Sequence, residues 1–242
     1  MKLQAAPGKN DLRGPETAMT KDTAARWNPD DYRIARRRMV DQQLKKRGIA
    51  DPNVLEAMSQ VPRHFFVDEA QALQAYTDTP LPIGYGQTIS QPYIVALMVE
   101  ALNLTPQDRV LEIGSGSGYQ TAILAALAGE VFAVERIEQL FYKGRANISR
   151  LDYGNIRLKL DDGTLGWPDM APFDAIIVAA GGPRVPQPLV DQLAPGGRLI
   201  VPVGSSASHQ KLTLVIKSPS GEVSRSVLGD CRFVALVGHH GW

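Results

Sequence analysis

Apolar positions along the chain change their rhythm three times. Up to residue 28 there is no rhythm: Ala, Gly, Pro, Thr and mixed charges follow one another without an apolar face, which predicts a loose extension unable to offset the entropy of ordering. Asn28-Pro29-Asp30-Asp31 reads as a helix start, with a cap, a proline at the first helical position and acids near the positive helix end. Lys45-Lys46-Arg47-Gly48 carries the matching stop signals. A second start, Asp51-Pro52, opens a short helix with Val54, Leu55 and Met58, limited by Pro62. From Thr79 to Pro92 the chain reads TPLPIGYGQTISQP, and its prolines and glycines argue against any regular element before a helix built on Ile94, Leu97, Met98, Ala101 and Leu102.

After Leu104 short apolar runs alternate with helical stretches. Strands are expected at Arg109 to Ile113, Val131 to Glu135, Ile156 to Leu160, Phe173 to Ala179 and Gly197 to Val201. Strand and helix in that alternation predict an α/β fold, a doubly wound and mostly parallel sheet. Three β-rich runs follow: Lys211 to Lys217, Glu222 to Val227 and Arg232 to Val237. Ser218-Pro219-Ser220-Gly221 joins the first two as a hairpin, so the sheet is expected to close antiparallel. The organisation this predicts is an extension over 1–28 and one domain over 29–242. Within that domain 29–92 forms a helical segment and loop, 93–205 the ligand-binding α/β core, and 206–242 a C-terminal β segment.

Composition narrows the options. Twenty-six basic against 25 acidic residues leave a formal net charge of +1, so no global field draws the chain onto nucleic acid or an acidic membrane. One cysteine, Cys231, cannot form an internal disulfide and no Cys/His spacing suggests a metal, so a cytoplasmic monomer without metal is the expectation. The triple arginine Arg36-Arg37-Arg38 is followed by MVDQQLK, which is no export signal, and no apolar run is long enough to span a membrane.

The chemistry concentrates in VLEIGSGSGY, residues 110–119, a strand running into a glycine turn that opens a helix. Gly114, Gly116 and Gly118 leave a tight turn open to close ligand approach, with Ser115 between them. Counted from either of the first two glycines, the spacing misses the dinucleotide pattern, since Tyr119 or Thr121 stands where the third glycine belongs. Glu112, two positions before Gly114, would repel a pyrophosphate and attract a cation. S-adenosylmethionine is such a cation, carrying an ammonium and a sulfonium. Glu135, followed by Arg136, ends the next strand about 20 residues on, where a carboxylate can accept ribose hydroxyls. Asp162-Gly163 ends the third strand, where a carboxylate can take the adenine amino group and a glycine lets the ring approach. Glutamate, glycine turn and second glutamate together resemble the signature of the class I methyltransferases.

A narrower resemblance covers about Met39 to Trp242. The stretches LPIGYGQTISQP, VLEIGSGSGYQTAILA, VFAVER, DDGTLGW, APFDAIIVAA, LAPGGRLIVPVG and RFVALVGHHGW, with the helix MVDQQLKKRGI and the segment VPRHFFV, resemble the protein-L-isoaspartate O-methyltransferase family. GQTISQP is the most specific of them. The resemblance implies a Rossmann-like methyltransferase fold and a methyl transfer from S-adenosylmethionine to L-isoaspartyl, and also D-aspartyl, residues in damaged proteins. It implies repair, because a methyl ester is a better leaving group than hydroxide when the backbone nitrogen closes a succinimide. It also implies that Ser90 belongs to the active site, that Thr88 and Ile89 help enclose the substrate, and that a terminal strand around Val234 and Ala235 supports the substrate backbone. Two positions depart from the family, which commonly has Gly at Asp161 and Pro at Ala235.

The acceptor chemistry can be argued without the family. The free α-carboxyl of an isoaspartyl residue has a pKa of roughly 3.5, is ionised at neutral pH and needs no general base. It needs in-line approach to the methyl carbon, with reacting atoms about 3 to 3.5 Å apart. Ser90 can orient one carboxylate oxygen, or it can cap the helix after Pro92. Nucleobase methylation is the rival enzyme class, but Val178-Ala179-Ala180-Gly181-Gly182-Pro183 stands where an Asp/Asn-Pro-Pro-aromatic motif would hold a flipped base. A non-catalytic sensor is the other rival, and the intact loop Gly86 to Pro92 speaks against it. His64 reads as a packed or solvated loop residue, Cys231 as a small apolar filler, and His239 and His240 as a solvated terminus. The basic cluster Arg33, Arg36, Arg37, Arg38, Lys45, Lys46 and Arg47 reads as a charged helix surface.

Overall fold

The structure, a computed structural model, describes residues 31–206 and 209–242. The expected extension and the helix-start residues Asn28, Pro29 and Asp30 lie outside them. Helix α1 (Arg33–Met39) begins after Tyr32, whose φ is 61°, so Asp31 stands before the helix and not in its first turn. The helix continues through a π-helical turn over Val40–Leu44 and a tight turn over Lys45–Arg47, and ends at Gly48 with φ 98°, as the stop signal predicts. Arg36 corrects the reading of the basic cluster: it is buried and its Nε donates to the Ser59 carbonyl at 2.6 Å.

Helix α2 (Pro52–Gln60) starts as expected, with the Asp51 carboxylate accepting the Asn53 amide at 2.8 Å. His64 is fully buried, its Nδ1 2.7 Å from the Tyr76 hydroxyl, which makes it a packed residue. The stretch rich in Pro and Gly is not irregular. Strands β1 (Leu81–Gly84) and β2 (Gln87–Ile89) form a small antiparallel ribbon turned by Tyr85 and Gly86, with φ 54° and 69°. A two-stranded ribbon leaves an outer edge to each strand, where the missing N–H of Pro82 does no harm. Lys143 ties the ribbon to the body, donating to the Ile83 carbonyl and to Asp68.

Helix α3 (Pro92–Ala101) leads into the main sheet. Strand β3 (Arg109–Ile113), helix α4 (Tyr119–Ala125), β4 (Glu130–Glu135), α5 (Glu138–Ile148), β5 (Ile156–Leu160), β6 (Phe173–Val178), α6 (Gln187–Asp191), β7 (Leu193–Ser206), β8 (His209–Lys217) and β9 (Val223–Cys231) follow. The seven strands lie in the order β5-β4-β3-β6-β7-β8-β9, parallel from β5 to β7 and antiparallel from there on. Successive residues of the central strands face opposite sides: Val110, Val131, Ala175 and Ile177 join a core with the N-terminal helices, α3, α4 and α5, while Leu111, Phe132, Ile176 and Val178 join one with α6. Burial on both faces explains why these strands read as unbroken apolar runs, each fully buried Val, Ile or Phe contributing about 1.5–3 kcal/mol.

The third C-terminal run, Arg232 to Val237, is not the strand expected. It crosses the end of β6 and makes a single parallel bridge, Ala235 to Gly181. Strand order reverses between β3 and β6, so the carboxyl ends of those two strands open a crevice. The ribbon lies over one side of that crevice and the C-terminal segment over the other.

Candidate active site

A cavity of about 800 Å³ fills the crevice. The turn after β3 forms its floor: the Gly114 and Ser115 amides both donate to the Val134 carbonyl, and the backbone is left-handed at Gly114 (φ 84°) and Gly116 (φ 53°). A Cβ at Gly116 would come 3.2 Å from Ile83, so the glycine lets the ribbon close over the turn. Asn147 holds the loop from α5 by donating to the Ser117 carbonyl at 3.0 Å.

Two carboxylates face this floor. Glu135 is held by three backbone amides, Gly116 on Oε2 and Arg136 and Ile137 on Oε1, each at 2.9 Å. Its remaining acceptor capacity faces the cavity. Glu112 is fully buried; Thr121 Oγ1 donates to one oxygen and Gln120 Nε2 to the other at 3.0 Å. Burial pushes its carboxyl up to about 7, against the pull of those two hydrogen bonds and with a small addition from the Glu135 charge. Sequence reasoning passed over Gln120 and Thr121. The available signal was two polar residues inside YQTAILA, a helix whose every residue is buried.

The structure brings together Thr88, Ile89, Ser90, Glu112, Gly114, Ser115, Gly116, Glu135, Arg136, Gly163, Val234 and Ala235, all of which line the cavity. Gly118 and Asp162 are not among the lining residues. Gly118 begins α4 with φ 90°, and a Cβ there would meet Ile148 at 2.8 Å, so its glycine serves the crossing of α4 and α5. The Asp162 carboxylate accepts from Thr164 and from the His239 amide. Asp161 faces away, paired with Lys159 at 2.7 Å. Ala235 lies opposite Gly181 in a bridge made by its neighbours, the Gly181 amide donating to the Val234 carbonyl and the Leu236 amide to the Gly181 carbonyl.

A second cavity, of about 1140 Å³, adjoins the first, and Thr88, Ser90, Ala179 and Val234 line both. Ser90 does not cap α3, because Gln91 holds that position without a side-chain bond. Among the described residues the Ser90 hydroxyl has no hydrogen-bond partner, leaving it available to a ligand at the junction. The second cavity continues past Tyr93 and along Cys231 to Phe233. Burial pushes the Cys231 thiol up to about 11, so it is no thiolate at neutral pH. Among the described residues no cluster of three or more His, Cys, Asp or Glu side chains could hold a metal ion, and no helix is long and apolar enough to cross a membrane.

Residues 35–241 match the family described as protein-L-isoaspartate(D-aspartate) O-methyltransferase. A protein-L-isoaspartate O-methyltransferase of Syntrophobacter fumaroxidans is 57% identical over 211 residues, covering 87% of this chain and 98% of that one. Its counterpart in Geobacter metallireducens is 56% identical, over 87% of this chain and 97% of that one. Among solved structures, a protein-L-isoaspartate O-methyltransferase superposes with a TM-score of 0.77 at 31% identity, over 85% of this chain and 67% of that one. A candidate enzyme of the same name from Plasmodium falciparum, in complex with S-adenosyl-L-homocysteine, gives 0.72 at 30% identity, over 84% of this chain and 98% of that one.

Proposed function

Because the chain belongs to the protein-L-isoaspartate(D-aspartate) O-methyltransferase family, we propose how its cavity divides the work of moving a methyl group from S-adenosylmethionine to the free carboxyl of isoaspartyl residues in damaged proteins. The activity is that of the family, and the roles rest on where the side chains stand. The observation that carries them is Ser90, whose hydroxyl, without a hydrogen-bond partner among the described residues, stands where the glycine-floored cavity meets the second one.

The donor set of the first cavity fits S-adenosylmethionine. Among the described residues the partners of Glu112 are a hydroxyl and an amide, neither charged, so a buried carboxylate faces the cavity without a countercharge. A cationic ligand supplies one. Glu135 presents acceptors for ribose hydroxyls, and Gly163, where a Cβ would strike Ile113 at 2.5 Å, borders the space for the adenine. When bound, S-adenosylmethionine supplies an electrophilic methyl on its sulfonium. What remains for the protein is to bring an already ionised carboxylate into line with it. Ser90 does this by donating a hydrogen bond to one carboxylate oxygen; Thr88 and Ile89 close over it, and the backbone at Val234 and Ala235 borders the substrate chain. A hydrogen bond that weakens the nucleophile cannot itself speed attack, so Ser90 contributes orientation. We assign the reaction to the cytoplasm, the compartment that suits a chain with one cysteine.

The test is methyl uptake from labelled S-adenosylmethionine by two synthetic peptides that differ only in carrying isoaspartate or aspartate. Label is expected on the isoaspartyl peptide alone; equal labelling of both, or of neither, overturns the reading.

A further inference from the structure

The second cavity has no assigned part in this scheme beyond its junction at Ser90, yet its charges are not balanced. We propose that Arg232 is a specificity-determining residue: its guanidinium selects acceptor chains that carry an acidic side chain within about three residues of the isoaspartate. This rests on the reading above that the acceptor reaches Ser90, since the second cavity is then where the flanking chain lies.

Among the described residues three charged side chains line this cavity: Arg47, Asp230 and Arg232. Two are already matched. Arg47 pairs with Asp78 and lies 3.4 Å from the centre of the Tyr93 ring, and Asp230 pairs with Lys211 at 3.1 Å. Arg232 is exposed and, among the described residues, its side chain has neither an ion pair nor a hydrogen bond. Much of the remaining lining is apolar, with Tyr93, Ile94 and Leu97 from α3 and Leu228 and Phe233 from the C-terminal side. A guanidinium without a countercharge in such a cavity is a site for an anion, and a carboxylate can accept two parallel hydrogen bonds from it.

The neighbour of Arg232 fixes its place. Phe233 is buried, and the Gln210 side chain grips its backbone at both polar groups: Oε1 accepts the Phe233 amide at 2.8 Å and Nε2 donates to its carbonyl at 3.2 Å. Val234, two residues on from Arg232, lines both cavities together with Ser90. Two residues of chain span at most about 7 Å, so an extended acceptor whose isoaspartate meets Ser90 carries a side chain two or three positions away into reach of Arg232. A formal net charge of +1 supplies no bulk field to draw acidic peptides, so a preference for them has to arise inside the cavity.

The test uses isoaspartyl peptides that differ only in carrying Glu, Gln or Lys at one of the three positions on either side of the isoaspartate. At one position or more, Glu is expected to lower KM by about two- to fivefold relative to Gln in about 10 mM salt, and the gain is expected to vanish in about 1 M salt. Arg232→Gln is expected to abolish the difference, and Arg232→Glu to turn it into a preference for Lys, a reversal that a merely structural role would not give. A preference for Glu that survives both substitutions overturns the inference, as does a response blind to the flanking residue. If Arg232→Gln raises KM for every peptide alike, the guanidinium grips the isoaspartyl carboxylate itself, and the inference falls as well. Titrating the same peptides against the protein saturated with S-adenosyl-L-homocysteine keeps the two readings apart. Binding that follows the flanking charge without methyl transfer upholds Arg232 and overturns the proposed activity; methyl transfer blind to that charge overturns Arg232 alone; peptides that neither bind nor react overturn both.

Discussion

Burial pushes the Glu112 carboxyl from an ordinary 4.5 to about 7, and this has a definite sign. Between those values the folded chain keeps a proton that the unfolded chain releases, so stability falls as pH rises through that window and levels off above it. Glu112→Gln is expected to remove this slope, matching the unsubstituted protein near pH 4.5 and exceeding it by about 1–3 kcal/mol at pH 8 in denaturant unfolding. An unchanged slope would clear Glu112 of the effect. Ser90→Ala is expected to slow single-turnover methyl transfer by about 10- to 100-fold, or about 1.4 to 2.7 kcal/mol, with S-adenosylmethionine affinity and the pH profile from about 6 to 8 unchanged, since no titrating group is lost. Full activity would reduce the hydroxyl to a loop contact. The glutamates and the glycine turn could be read from the sequence because charge and missing side chains have few other uses at the end of a buried strand. The embrace of Glu112 by Gln120 and Thr121 could not, since it depends on how α4 is rotated over β3.

At the scale of elements, legibility followed burial. Strands β3, β4 and β6 begin and end within one residue of the expected runs, because central parallel strands have no exposed face to interrupt them. The ribbon of β1 and β2 escaped notice because prolines and glycines that would break a long strand suit a short one with free edges. Arg232 to Val237 had strand composition, yet its backbone is bonded by Gly181, Trp242 and the Gln210 side chain and not by a neighbouring strand. Caps were legible where they were local. Asp51 accepts both the Asn53 and Val54 amides at the start of α2, so Asp51→Ala is expected to cost about 1 kcal/mol in chemical denaturation while leaving methyl transfer intact. A neutral result would shift the burden to Glu100, which accepts the Ala50 and Asp51 amides at 2.7 Å from α3.

For the whole molecule, the apolar faces of the N-terminal helices share a core with the sheet, and the family match begins at residue 35. Residues 1 to 26 carry no apolar face to add to that core. Deleting them is expected to leave Tm and turnover unchanged in a thermal scan and a methylation assay; a loss of about 4 °C or more would mean that the segment docks. The C-terminal segment that walls the crevice at Val234 to Val237 has a further consequence for how the protein comes into being. A ribosome delivers the glycine turn, Glu112 and Glu135 well before it delivers Val234 to Val237, and all seven strands of the sheet precede that wall in the chain. On the proposed division of the cavity, synthesis delivers Ser90 and the part that holds the methyl donor first, and the segment that borders damaged protein opposite Ser90 is the last of the site to exist.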